Sequence, residues 1–290
     1  MTQTWFITGA SRGLGRALTD AALAAGDRVV ATARRPEVLD DLVRLHREDL
    51  LAVPLDVTDP RAAQQALQVG VDRFGRLDVV VNNAGYANVS PIETGEDEDF
   101  RTQFETNFWG VYNVTKAAIG PLRRQGGGLV VQFSSIGGRV GGSPGIASYQ
   151  AAKFAVDGFT RVLAAETAPF GIRTLVVEPS GFATDWAGSS MTIHDFPADY
   201  DETVGTMQRR VRTNPAGPAG DPVRAAEIIV QVVKRESIPS HLLLGVNAVE
   251  MALGYSRRQL GEAEAWEQVS RSADYAEPFP VPLPQNGRET

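Results

Sequence analysis

The chain has 290 residues, 43% hydrophobic and 22% charged, and its 28 basic against 35 acidic side chains leave a net charge of −7. That sign argues against a nucleic-acid partner. The absence of cysteine excludes disulfides, thiolate-bound zinc and a thiol nucleophile, and three scattered histidines (His46, His194, His241) argue against an imidazole metal site. No run approaches the roughly 20 apolar residues needed to span a bilayer, so no membrane partner is expected. The first residues lead straight into strand-like sequence, without the basic and apolar regions of a leader, so a cytoplasmic location is expected.

Short β-branched runs then alternate with longer amphipathic stretches. Residues 5–8 read as a buried strand, 14–25 as an Ala- and Leu-rich helix, 28–33 as a strand, 37–46 as a helix and 50–54 as a strand. A helix over 61–74 precedes 77–81, which is almost wholly apolar and therefore a central strand. Beyond it the pattern predicts helix 100–124, strand 128–133, helix 149–168, strand 172–177, helix 222–234, strand 241–244 and helix 248–270. Continuous apolar strands separated by helices predict a parallel sheet covered on both faces, wound right-handed. Two segments break the alternation. Residues 184–221 are rich in Gly, Pro, Ser and Asp, with Trp186, Met191, Ile193, Phe196, Tyr200 and Met207 irregularly spaced, and read as a lid over about 185–220. Residues 277–285 alternate proline with apolar residues and predict an extended tail.

Thr8-Gly9-Ala10-Ser11-Arg12-Gly13-Leu14-Gly15 joins the first strand to the first helix. Glycines there allow a tight turn and close approach of backbone to a pyrophosphate at the helix N-terminus. The T-G-x-x-x-G-x-G spacing, with Asn82-Asn83-Ala84-Gly85 after the fourth strand, Asn107 in a long helix, Ser134-Ser135 and Tyr149-x-x-x-Lys153, resembles the short-chain dehydrogenases/reductases, in their single-domain branch. The resemblance implies an α/β, Rossmann-like doubly wound fold, with a mainly parallel seven-stranded sheet flanked by helices on both faces and a helical substrate lid. Residues 1–245 would form the cofactor-binding and catalytic domain, and 246–290 a C-terminal helix and tail of the same domain. It also implies a nicotinamide cofactor, bound by Gly9, Ser11, Arg12, Gly13, Leu14 and Gly15.

In Rossmann folds a carboxylate after the second strand holds the ribose 2′-hydroxyl, whereas arginine accommodates a 2′-phosphate. Here the strand ends in Ala33-Arg34-Arg35, with no carboxylate until Glu37, and Arg12 stands in the glycine turn. Arginine's planar fork suits phosphate, so NADP (as NADPH) is the expected cofactor. By resemblance Asp56 and Val57 contact the adenine, while Asn83, Ala84 and Gly85 approach the adenosine ribose. As a plain helix cap, Asp59 is better placed than Asp56.

Tyr149 and Lys153 lie four apart at the start of a predicted helix and share a face. A lysine ammonium one turn away favours the phenolate, and a lowered pKa lets one hydroxyl act as acid in reduction and base in oxidation. By resemblance Ser135 orients the substrate oxygen, Lys153 also holds the nicotinamide ribose, and Asn107 holds a water linking the lysine to solvent. Pro179, Phe182 and Thr184 match the segment contacting the nicotinamide carboxamide, although Ser180 replaces a glycine usual there. The Ser135-to-Tyr149 gap of 14 positions is one longer than the commonest in the family. Residues 134–138 resemble those of hydroxysteroid and retinol dehydrogenases.

The implied activity is NADP-dependent hydride transfer between the nicotinamide and a carbonyl or secondary alcohol carbon, with a lipophilic small-molecule substrate favoured by the apolar lid. The family pairs long helices across subunits, so helices 100–124 and 149–168 are candidate faces for a homodimer or homotetramer. Epimerases sharing Tyr-x-x-x-Lys usually carry a different glycine spacing and a larger C-terminal domain. A sensor or scaffold that binds NADPH without turnover typically loses the Tyr or Lys kept here. The acidic run Glu96-Asp97-Glu98-Asp99 reads as a cap for the helix near Phe100 rather than a metal site, and His194 as a surface residue of the lid.

Overall fold

The computed structural model describes residues 2–184, 191–213 and 220–284. Within these, strands β1 (Thr4–Ile7), β2 (Arg28–Ala33), β3 (Leu50–Pro54), β4 (Val79–Asn82), β5 (Gly128–Phe133), β6 (Ile172–Pro179) and β7 (His241–Leu244) form one sheet. Their order is β3-β2-β1-β4-β5-β6-β7 and every pairing is parallel, which sharpens the expectation of a mainly parallel sheet.

Alternation along the central strands builds two apolar layers. Trp5, Ile7, Val79, Val81, Leu129 and Val131 face helices α1 (Gly13–Ala24) and α9 (Pro222–Val233), which contribute Leu18, Ala22, Ala225 and Ile229. Phe6, Val30, Val80 and Val130 face α3 (Pro60–Phe74), α5 (Gly110–Arg124) and α7 (Ala147–Thr167), which contribute Leu67, Val114, Leu122 and Leu163. With both faces covered, the strands carry continuous apolar runs.

Some expected boundaries move for visible reasons. Strand β4 begins at Val79 rather than 77 because the Gln125 side chain takes both Leu77 backbone groups, accepting from its N–H and donating to its carbonyl. The expected helix 37–46 is a short 3₁₀ turn, Pro36–Leu39, followed by α2 (Asp40–Leu45). The expected helix 100–124 starts earlier, as α4 (Asp97–Phe104), and passes through a π-helical turn, Glu105–Trp109, before α5. The acidic run occupies the first turn of α4 without a side-chain cap from Glu96. Asp99 instead accepts from Asn88 Nδ2 at 2.6 Å and Gln103 Nε2 at 2.8 Å. A short helix, α6 (Gly137–Val140), lies between Ser135 and Tyr149. The lid, expected to be helical, holds α8 (Thr206–Thr213). The last expected helix divides at Trp266 into α10 (Val246–Ala265) and α11 (Glu267–Arg271). Beyond them the proline-rich tail, described to residue 284, is irregular and exposed.

A buried carboxylate ties the N-terminal strands to α9. Asp27, 1% exposed, accepts from Gln3 N–H at 3.0 Å and Trp5 Nε1 at 3.0 Å, and pairs with Lys234 Nζ at 2.8 Å. Removing one member of such a group strands the others without partners. Asp27→Ala is therefore expected to lower folding stability by about 3 kcal/mol, read as a shift in the urea midpoint.

Candidate functional site

A cleft of about 890 Å³ opens along the carboxyl ends of the strands, where open parallel sheets bind ligands. It is lined by the glycine turn, the segments after β2, β3, β4, β5 and β6, the start of α7, and the lid.

The glycine turn is held from behind. Asn83 Nδ2 donates to the carbonyls of Thr8 (3.0 Å) and Gly9 (3.2 Å), while Thr8 Oγ1 accepts from Asn83 N–H (2.9 Å) and Ala84 N–H (3.1 Å). A Cβ on Gly15 would stand 2.3 Å from Gly9 O and 2.4 Å from Asn83 Nδ2. Gly15 leaves no room for a side chain and stands behind the cleft lining, which takes in Gly9, Ser11, Arg12, Gly13 and Leu14. Arg12 stands at the N-cap of α1 with no side-chain cap bond, which leaves the first N–H groups of the helix suited to an anion.

Arg12 and Arg34 are exposed and both line the cleft, and among the described residues neither has an ion-pair partner. Asp56 and Val57 line the same end. Asp59 caps α3, accepting from the N–H groups of Arg61 and Ala62. Asp56 forms a local turn instead, accepting from Thr58 N–H at 3.0 Å and Thr58 Oγ1 at 2.8 Å. Ala84, Gly85 and Tyr86 line the cleft beyond Asn83.

Ser135, Tyr149 and Lys153 converge. The Tyr149 and Ser135 hydroxyls are hydrogen-bonded, and Gly137 N–H donates to Ser135 Oγ at 3.1 Å. Ser134 does not face the reaction side; its hydroxyl donates to the Lys153 carbonyl at 3.0 Å, fastening the end of β5 to α7. Lys153 is 3% exposed and its Nζ donates to Phe133 O at 2.6 Å, 5.7 Å from the Tyr149 ring centre. Burial pushes the Tyr149 phenol up to about 12, against the opposing Ser135 hydrogen bond, and pulls the Lys153 ammonium down to about 8. Within the protein alone burial is the largest cause at Tyr149, and the Lys153 ammonium donates to a backbone carbonyl.

Asn107 lies in the π turn, fully buried and outside the cleft lining. Its Oδ1 accepts from Tyr86 N–H at 3.1 Å, and its Nδ2 donates to Tyr86 O (2.8 Å) and Gln103 O (2.9 Å). A Cβ on Gly85 would meet Asn107 Oδ1 at 2.5 Å and Lys153 Nζ at 3.6 Å, so Asn107 backs the strand-end segment beside the lysine. π-helical turns often mark functional positions.

The loop between Ser135 and Tyr149 is anchored by Arg139 to the buried Glu178 at 2.9 Å. Gly145, at φ +84°, packs where a Cβ would stand 2.9 Å from Val89 and 3.0 Å from Val204. Ser180 meets its altered setting by hydrogen bonding: its N–H (3.0 Å) and its hydroxyl (3.3 Å) both donate to Leu244 O. Pro179, Phe182 and Thr184 line the cleft, with Thr184 facing Gly13.

The lid is pinned at its start. Val89 N–H donates to Thr192 O at 2.8 Å and His194 N–H to Val89 O at 3.0 Å. The His194 ring nitrogen lies 3.4 Å from Asp99 and its side chain is half-buried, while its backbone N–H supplies the hydrogen bond to Val89. Met191, Ile193, Phe196, Tyr200 and Met207 pack around Ala87, Val89, Ile146, Tyr149 and Val204. Trp186 lies outside the described residues. Sequence reasoning missed Tyr86, Gln150, Arg210, Asn247 and Met251, all in the cleft lining. The spacing of Met207, Arg210 and Val211 at i, i+3 and i+4 is the signal that finds the lid helix and its inward face.

A family model described as short chain dehydrogenase matches residues 3–192. The oxidoreductase BOA17 of Botryotinia fuckeliana is 45% identical over 93% of this chain and 98% of its own length. The structure of a short-chain dehydrogenase from Streptomyces avermitilis superposes with a TM-score of 0.87 at 38% identity, covering 94% of this chain and 98% of that one. Two structures at 25% identity hold different nicotinamide cofactors. One is an alcohol dehydrogenase from Thermococcus sibiricus with 5-hydroxy-NADP (TM-score 0.69; 84% of this chain, 96% of that one). The other is a 3-ketoacyl-(acyl-carrier-protein) reductase from Brucella melitensis with NADH (TM-score 0.70; 84% and 96%). A wholly parallel seven-stranded sheet, a glycine turn stapled by Asn83 and a joined Ser135–Tyr149–Lys153 group thus accompany likeness over nearly the full length, and the chain belongs to the short-chain dehydrogenase family of oxidoreductases.

Proposed function

We propose that the protein is an NADP-dependent carbonyl reductase or secondary-alcohol dehydrogenase. The observation that carries this reading is the convergence of Ser135, Tyr149 and Lys153 at one end of a cleft whose other end offers two unpaired arginines.

The cleft fits the cofactor. The glycine turn leaves open backbone N–H groups at the start of α1 for a pyrophosphate, and Arg12 and Arg34 flank the position where a 2′-phosphate would lie. Asp56 and Val57 line the adenosine end, and Phe182 and Thr184 the nicotinamide end. Bound there, the nicotinamide supplies or accepts the hydride. In the reductive direction Tyr149 donates its hydroxyl proton to the substrate oxygen as negative charge develops on it; in oxidation the same oxygen takes that proton back. Ser135 donates a hydrogen bond to the substrate oxygen and steadies the charge. Lys153 holds the ribose and, once its proton is no longer directed only at Phe133 O, favours the phenolate. Asn107 holds the Gly85–Tyr86 segment against the lysine and by resemblance supports proton exchange with solvent. The apolar lid residues around Tyr149 favour a lipophilic substrate.

NADPH is expected to bind at least tenfold more tightly than NADH (about 1.4 kcal/mol) in calorimetric titrations, and Arg34→Ser to remove most of that difference. Equal affinities in the unaltered protein would refute the phosphate clamp. Tyr149→Phe is expected to lower kcat by roughly 10²- to 10⁴-fold in a ketone screen, with NADPH affinity unchanged; full turnover by this variant would remove Tyr149 from the mechanism. With Lys153 near 8 in the free protein, an anionic cofactor raises it, so the complex holds more proton than the free protein. Cofactor affinity should therefore fall as pH rises through about 8. Titrations at that pH in buffers of different ionisation enthalpy should report proton uptake that Lys153→Met abolishes.

A further inference from the structure

The lid helix α8 turns one face to the cleft, formed by Met207, Arg210 and Val211. Met207 packs on the apolar cluster around Tyr149, which places this face over the substrate end of the cleft. Two arginines stand side by side on the helix with different fates. Arg209 is neutralised from outside the cleft, with its guanidinium 2.8 Å from Asp201 Oδ1 and 3.0 Å from Asp201 O. Arg210 lines the cleft, and among the described residues no carboxylate pairs with it.

The charges lining the cleft are Arg12, Arg34, Lys153 and Arg210 against Asp56, an excess of cations in a chain of net charge −7. Arg12 and Arg34 belong to the adenosine end and Lys153 to the tyrosine, which leaves one guanidinium unassigned. A planar, permanently charged group facing a part-apolar cleft is suited to a carboxylate or phosphate, which it can bind through two parallel hydrogen bonds.

Resting on the oxidoreductase reading, we propose that the substrate is an anionic amphiphile: a ketone or secondary alcohol on an apolar body that also carries a carboxylate, sulfate or phosphate. Arg210 receives that anion while Met207, Val211 and Ile146 cover the apolar part. Arg210 is a specificity residue; it takes no part in proton or hydride transfer. A phosphate of the cofactor offers the same chemistry from a second source, and the test separates the two.

The full-length protein, saturated with NADP, is titrated by calorimetry with decanoate and with decanol, as unaltered chain and as Arg210→Met and Arg210→Lys. The expected result is decanoate bound at least tenfold more tightly than decanol, the order of one charge-assisted hydrogen bond. That preference should be lost in Arg210→Met and partly kept in Arg210→Lys, with NADPH affinity the same in all three. Kinetics with 9-oxodecanoate and its methyl ester should show the same preference in kcat/KM. Equal binding of decanoate and decanol by the unaltered chain would overturn the proposal, as would a preference that survives in Arg210→Met. A loss of NADPH affinity in Arg210→Met matching the loss for decanoate would assign the arginine to the cofactor instead. A melting temperature lowered by several degrees in Arg210→Met, with no acid preference in either protein, would make it a partner in an internal ion pair. Failure of the oxidoreductase reading looks different: the decanoate preference would persist while neither ketone oxidises NADPH.

Discussion

Gly15 has no room for a side chain, and much of the site follows from that contact. The first turn of α1 presses against Gly9 O and the Asn83 amide so closely that a single added carbon would stand 2.3 Å from the carbonyl oxygen. The contact locks the turn after β1 to the segment after β4, which are neighbours in the sheet. It turns the uncapped start of α1 to the cleft and places Ala84 against Gly9. Gly85 in turn abuts Asn107 and Lys153, so the glycine turn and the Tyr149–Lys153 end of the cleft are parts of one packed unit. Polar side chains reinforce this where the strands end: Asn82 donates to Thr115 and Gln132 (both 2.9 Å), and Ser134 to the Lys153 carbonyl.

The strands and the residues of the site were legible in the sequence because each leaves a short-range mark. Apolar runs with β-branched residues located every strand, and β2, β3, β5 and β7 coincide with their expected spans. The glycine turn, Ser135 and the Tyr149–Lys153 pair are local patterns, and the fold brings them to one cleft. What escaped depends on distant partners. The start of β4 is set by a glutamine 48 positions away, and the π turn carrying Asn107 lies inside a uniformly helical pattern. Burial raises the Tyr149 pKa in the protein alone, an effect that spacing does not contain. The lid was expected to be helical, but the bounds of its helix were not given, because glycine, proline and serine around it mask a short periodic stretch.

Function on this scaffold divides along the cleft. One end is built from backbone and from residues attached to strands, held by at least seven hydrogen bonds and close contacts described above for Thr8, Asn83 and Asn107. The other end is covered by a lid fastened by hydrogen bonds at Val89, Asn88 and Glu93 and held besides by apolar packing. Geometry that the proposed hydride transfer requires is therefore separated from surface that can vary with the substrate.

The wholly parallel sheet also sets how the chain reaches this state. No two adjacent strands can be joined by a tight hairpin, and β1 pairs with β4 across more than seventy positions of chain. The central pairing that supports the glycine turn thus waits on a long loop closure, whereas β1–β2 and β2–β3 join over shorter ones. Such a topology has a high mean sequence separation between contacting residues and belongs with slow-folding domains. During synthesis, β1, β2 and β3 are exposed as an incomplete sheet with an open apolar edge until β4 emerges to cover it.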